Sequence, residues 1–216
     1  MIRLPVIVRQ HLAAFRALLV FTVICGFIYP FVMLGVSQVV FHKQANGSLV
    51  SYNGKVVGSS LLCQEFTDAK GNPLPQYFQP RPSDAVVSGD KNDFGCDPRY
   101  SSASNLGPNN PALVQLIQQR QKQIAAFDHV AISQIPADAV TASGSGLDPD
   151  ISPQNAAIQV NRVAAARHLP AAEVKALVAT YTQGRTLGFL GEPRVNVLNL
   201  NIALDKLSAS KSGSGG

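Results

Sequence analysis

The stretch Ala17-LLVFTVICGFIYPFVMLGVSQVV-Phe41 decides how the rest of the chain is read: 25 consecutive residues without a formal charge, dominated by Leu, Val, Ile and Phe. As a helix it would rise about 37 Å, enough to cross a hydrocarbon core of about 30 Å with some tilt. A cleavable signal peptide has a shorter apolar stretch, about 7–15 residues, and ends in a small-x-small site. Gln38-Val39-Val40-Phe41 is no such site, so the segment is expected to stay as an anchor. Pro30 removes one helical hydrogen bond and Gly26 lies one turn earlier, which predicts a kink near the middle of the span. Gly26 and Gly35 fall on opposite helix faces and form no GxxxG seam.

Charge is concentrated around the anchor. The chain has 216 residues and a net charge of +5. Arg3, Arg9, Arg16 and Lys43 supply +4 of it within the first 43 residues, where no acid occurs. No basic stripe remains beyond that point, so the composition gives no support for nucleic-acid binding and reports a lipid bilayer instead. By the positive-inside rule the three arginines leave residues 1–16 as a cytoplasmic amino terminus and place the chain beyond Lys43 outside. The expected organisation is a transmembrane helix over 17–41, one extracytoplasmic domain over 42–207 and a flexible tail over 208–216, SASKSGSGG, which has the look of an added linker.

Within that domain, Ser48-Leu-Val-Ser-Tyr52 and Lys55-Val-Val-Gly58 alternate around Asn53-Gly54, which predicts a hairpin with a primed turn. From Asp68 to Pro111 the density of Pro, Gly, Asn, Ser and Asp predicts a long loop. Asn110-Pro111 has the form of a helix cap and first residue, with Leu113, Leu116, Ile117 and Ile124 at helical spacing up to Asp128. Ser152-Pro153 opens a second helix toward Arg167, a third runs from Pro170 to about Gln183, and the two should pack as a hairpin. Arg194–Leu198 has the pattern of a strand, and Leu200, Ala203, Leu204 and Leu207 suit a closing helix. The expected fold is a single N-terminal transmembrane helix plus one α+β extracytoplasmic domain with short strands and three to four helices.

No reaction centre emerges. His11, His42, His129 and His168 lack the partners and spacing of zinc hydrolases. Ser143-Gly-Ser-Gly146 puts glycines immediately beside Ser145, whereas a nucleophile elbow needs them two residues away. The stretch TASGSGLDPDISP is expected to be a tight loop leading into the Ser152 cap; the sharper alternative is an interface or ion-facing loop using Ser143, Ser145, Asp148 and Asp150, whose carboxylates could take a hard cation. Arg81 and Arg194 are expected to bridge or cap loop backbone. Asn46-Gly-Ser48 matches a glycosylation sequon and equally a turn. Cys25 lies in the span, leaving Cys63 and Cys96 as either a disulfide in an oxidising compartment or two separately buried thiols.

Four stretches together, YFQPRPS (77–83), SNLGPNNPAL (104–113), VTASGSGLDPDISPQNAAIQVNRVAAAR (140–167) and GFLGEPRVNVLNLNIALD (188–205), resemble the C subunit of the Kdp potassium-transporting P-type ATPase. The resemblance runs from the anchor to Asp205. It implies a non-catalytic accessory subunit of a bacterial inner-membrane pump for high-affinity potassium uptake, single-pass, supporting assembly and activity beside a channel-like potassium-selecting A subunit, an ATP-hydrolysing B subunit and a small F subunit. It implies no intrinsic cofactor; potassium is the cargo of the complex, and ATP would enter only through the catalytic subunit. The alternative it carries is a chaperone-like subunit that raises the ATP affinity of the B subunit through a transient ternary complex.

Two departures from the family pattern stand out. The stretch likened to a nucleotide-binding signature has paired glycines in the family, as in SGGSN, and is Ser101-Ser-Ala-Ser-Asn105 here, with Cβ atoms where bare backbone would approach a phosphate. Family members usually have glycine at the position of Cys63, and Cys96 lies in a loop longer than usual; two such cysteines appearing together favour the bridge.

Overall fold

A computed structural model describes residues 5–87 and 95–212. The chain divides into two compact units, 1–48 and 49–216.

The first unit is helical. α1 (Val6–Val23), a π-turn over Ile24–Ile28 and α2 (Tyr29–Val40) form one helix of 35 residues, none of it buried, whose apolar 18-residue stretch has a mean hydropathy of 2.4. It is long and apolar enough to cross a membrane and extends below the expected span into residues 6–16. The π-turn falls where Pro30 predicts a disturbance. Pro30 has no N–H and its ring would press on the carbonyl one turn back, at Gly26, so the backbone takes in an extra residue and Tyr29 N–H bonds to the Ile24 carbonyl. At Phe41 the backbone leaves the helical region, and the single turn α3 (His42–Ala45) comes next. The Asn46-Gly47-Ser48 tripeptide closes it as a turn: Asn46 Nδ2 donates to the His42 carbonyl at 2.7 Å and Gly47 has φ 81°.

The second unit begins with the hairpin β1 (Leu49–Tyr52) and β2 (Lys55–Ser59), antiparallel. Asn53 and Gly54 at φ 49° and 77° make the primed turn that the Asn-Gly pair demands. Between Ser59 and Pro111 the described residues form no strand or helix, as expected, apart from an isolated bridge between Thr67 and Pro73; residues 88–94 of that stretch lie outside the described residues. α4 (Pro111–Asp128) starts as the sequence predicts, with Asn110 Oδ1 accepting from Ala112 N–H at 2.9 Å. A single-turn helix, α5 (Ala137–Val140), precedes β3 (Asp150–Ile151) and α6 (Pro153–Ala166), whose cap Ser152 Oγ accepts from Asn155 N–H at 3.0 Å.

α7 (Ala171–Tyr181) stops two residues before Gln183, because Thr182–Gln183 leave the helix as β4 and pair with β5 (Arg194–Asn196). The strand expected over Arg194–Leu198 ends at Asn196, and α8 (Val197–Ser212) begins at once. The cause is Asn196 itself, whose Oδ1 accepts from Asn199 N–H at 3.1 Å and caps the helix. α8 also continues through the first residues of the expected tail; residues 213–216 lie outside the described ones. The three short strands form an antiparallel sheet in the order β3-β5-β4. α6, α7 and α8 pack on it through Ile151, Val160, Val163, Val174, Val195, Leu200 and Leu204, with Phe78 from the long loop filling the centre. The domain is thus α+β, with short antiparallel strands and four helices longer than one turn among the described residues.

Candidate functional site

α6 has two faces. Ala156, Val160 and Val163 enter the core, while Asn155, Gln159 and Arg162, spaced four and three apart, form a buried polar stripe. That stripe faces the extended segment 75–82 instead of solvent. Gln79 N–H donates to Gln159 Oε1 at 2.7 Å and Gln159 Nε2 returns a bond to the Gln79 carbonyl at 3.2 Å. Asn201 of α8 clasps Phe78 the same way, accepting at Oδ1 from its N–H and donating from Nδ2 to its carbonyl, both at 2.9 Å. Arg162 Nη1 reaches the Pro75 and Tyr77 carbonyls at 2.6 and 2.9 Å, its Nη2 bonds Gln159 Oε1, and its Nε meets Asp128 Oδ1 at 2.6 Å. Its guanidinium also stacks on Phe127, 4.3 Å from the ring centroid. Arg167 adds a bond to the Gln76 carbonyl, an ion pair with Asp205 and a stack on Tyr77. Burial pushes the Asp128 carboxyl up and the Arg162 guanidinium down, each opposed by attraction to the other.

Beside this seam lies the loop cluster that contains the candidate residues. Ser143 N–H donates to the Pro82 carbonyl, and the Gly146 carbonyl accepts from Ser83 Oγ at 2.7 Å. The Ser145 carbonyl accepts from Ser102 N–H and Ser101 Oγ, both at 3.0 Å, so the Ser101–Asn105 stretch is tied to the Ser143–Gly146 turn. Ser143 Oγ and Ser145 Oγ stand 3.3 Å apart and also accept from Gly146 and Leu147 N–H. Both carboxylates face guanidinium groups: Asp148 meets Arg81 at 2.9 Å, and Asp150 meets Arg194 at 3.1 Å while accepting from Asn196 Nδ2 at 3.2 Å. Burial pushes the Asp150 carboxyl up, opposed by Asn196 and Arg194. Cys63 and Cys96 are joined as a disulfide with Cα atoms 5.4 Å apart. Cys63 N–H donates to the Leu147 carbonyl and Cys96 N–H to Ser83 Oγ, so the bond fastens the same cluster.

Gly146 is the tightest point. It sits at φ 72°, and a Cβ there would lie 2.6 Å from both Ala85 Cβ and the Ser102 carbonyl oxygen. Gly146→Ala is therefore expected to cost about 1–3 kcal/mol from backbone strain and overpacking, and to raise proteolysis between residues 95 and 102. Wild-type melting and cleavage rates would contradict this close packing.

The structure thus brings Ser143, Ser145, Asp148 and Asp150 together with Arg81, Ser83 and Arg194. Asn155, Gln159, Arg162, Asn201 and Asp138 escape a reading of the sequence. Asp138 bonds the Ser152 hydroxyl and N–H and Asn155 Nδ2 at 2.8–3.1 Å, fixing the start of α6 from outside. For the α6 residues a polar stripe at helical spacing was the one signal, and such a stripe usually faces water. A cleft of about 730 Å³ opens between α4 and the seam, lined by Gln79, Arg81, Arg120, Ile124, Phe127 and Gln159 among others.

These observations define a class: a small α+β domain carried in one chain with a helix fit to cross a membrane, its loops held by side-chain amides and guanidinium groups. The family model described as K+-transporting ATPase, c chain, matches residues 11–206. The chain is 51% identical over 205 residues to the potassium-transporting ATPase KdpC subunit of Gemmatimonas aurantiaca, covering 93% of this chain and 95% of that one. It is 49% identical over 197 residues to that of Beijerinckia indica, covering 91% and 93%, and 48% identical over 200 residues to that of Mycobacterium tuberculosis, covering 92% and 99%. The chain belongs to the KdpC family, the c chains of K+-transporting ATPases.

Proposed function

We propose that the chain is a non-catalytic accessory subunit of a high-affinity, ATP-driven potassium uptake pump, anchored by its N-terminal helix and holding its folded domain outside the cell membrane against the channel-like A subunit of an assembly that also contains the B and F subunits. The observation that carries this reading is the use made of the polar side chains. Asn155, Gln159, Arg162, Arg167 and Asn201 form a connected set in which the last four bond directly to the backbone of residues 75–79 and Asn155 braces Gln159, which stiffens a loop-built surface and leaves these groups engaged in structure. A stiff surface suits docking, where ordering loops on association would cost affinity. Arg9 and Arg16 on the helix before the apolar run, with Arg3, favour a cytoplasmic amino terminus and an external domain.

Deleting residues 44–216 is expected to abolish stable assembly or high-affinity uptake, and a complex that forms and transports normally without them would overturn the reading. Protease added outside spheroplasts is expected to digest the domain. Full protection would place it inside and favour instead a subunit that raises the ATP affinity of the catalytic subunit.

A further inference from the structure

Between β4 and β5 the chain runs out into a short closed loop. Thr186 and Leu190 exchange backbone hydrogen bonds of 2.9 Å in both directions, and Gly188 N–H donates to the Arg185 carbonyl at 3.1 Å. Arg185 Nη2 bridges both carboxylate oxygens of Glu192 at 2.8 and 3.0 Å across the base. The tip points apolar side chains at solvent: Leu187 is 79% exposed, Phe189 69% and Leu190 50%. Leu187 holds φ 55°, a left-handed conformation that is costly for a residue with a branched side chain, and Gly188 and Gly191 hold φ 82° and 77°. Backbone strain of this kind persists where the surroundings enforce it and clusters at binding sites. Three large apolar groups within four positions, on a pre-ordered turn, have the make-up of an anchor that fills a pocket.

Charge decides what kind of surface receives it. Arg185 is paired with Glu192 and Arg194 with Asp150, so the loop is neutral and brings no uncommitted cation for an anionic headgroup layer. An uncharged protein groove matches it; a bilayer surface, which holds such tips by apolar insertion together with basic flanks, does not.

We propose that residues 186–190 are the prong by which this domain docks into an uncharged apolar groove on another subunit of the ATPase; the proposal rests on the accessory-subunit reading above and names its contact. In the assembled, full-length complex, benzoylphenylalanine at position 189 is expected to give, on illumination, a covalent adduct identified by mass as another ATPase subunit, whereas the same probe at the exposed Lys175 on α7 gives none. An adduct with lipid or with a second copy of this chain, or no adduct in a complex that has assembled, overturns the proposal. The double substitution L187D/F189D is expected to lower the fraction of the chain that co-purifies with the complex at least tenfold, with the melting of the purified full-length chain unchanged. If co-purification persists while deletion of 44–216 dissolves the complex, the prong is wrong and the accessory reading stands. If the deletion too is silent, the reading itself falls. Should the double variant melt early, the photoadduct alone decides.

Discussion

Arg162→Ala is expected to destabilise the domain by about 3–5 kcal/mol, the range for breaking a buried ion pair and leaving one charge behind. Arg162 and Asp128 are only 4% and 5% exposed at their side chains, and the substitution strands Asp128 while stripping hydrogen bonds from the Pro75 and Tyr77 carbonyls and from Gln159. Buried acceptors left without donors add to the loss. At about 2–4 °C per kcal/mol for a chain of this size, the melting temperature should fall by roughly 10 °C. The chain has no tryptophan, so far-UV circular dichroism of the purified full-length protein is the natural readout.

Acid should narrow the deficit. Burial already holds the Asp128 carboxyl above its ordinary value, and removing Arg162 takes away the main force opposing that rise. A carboxyl whose folded-state pKa exceeds the unfolded one, near 3.8, contributes stability that is complete below 3.8 and lost as pH climbs through the folded value. The gap between variant and wild type is therefore widest at neutral pH and smallest near pH 4. A gap independent of pH would mean that Asp128 stays neutral or finds another partner.

Loss of the Cys63–Cys96 bond is the second large effect. With a sequence separation of 33, the link restricts the unfolded chain and should stabilise by ~3–4 kcal/mol in the chain-entropy model. The double variant Cys63→Ser/Cys96→Ser and reduction of the wild type should lower the melting point alike. They should also expose the 95–102 segment to protease, because Cys96 N–H holds Ser83 Oγ and Cys63 N–H holds the Leu147 carbonyl. Alkylation of both thiols in native, non-reduced protein would show that no bridge exists in solution.

What the sequence made legible was local. Asn53-Gly54 and Asn110-Pro111 specify their turn and helix start through their own side chains and dihedrals, and the apolar run of the N-terminal helix needs no neighbour to be recognised. Boundaries failed where a residue's role depends on something distant or on a single side chain. Val195-Asn-Val-Leu198 alternates like a strand, but Asn196 turns its amide onto Asn199 N–H, and the helix begins in the middle of the pattern. Thr182-Gln183 extends the helical period of α7, yet β5 lies alongside and takes the two residues into its sheet. The candidate site was legible as a loop and not as a network. Asp148 and Asp150 look like a cation pair until Arg81 and Arg194, far away in sequence, are folded against them.

Clasped by side chains, Phe78 and Gln79 offer little to a passing polypeptide. An extended segment normally presents a row of vacant N–H and C=O groups on which a stray chain can template itself. Here carboxamides of Asn201 and Gln159 already occupy both groups of each residue. This stretch of backbone is therefore closed to strand addition at those two positions, and a partly folded neighbouring chain has no foothold there from which to seed aggregation.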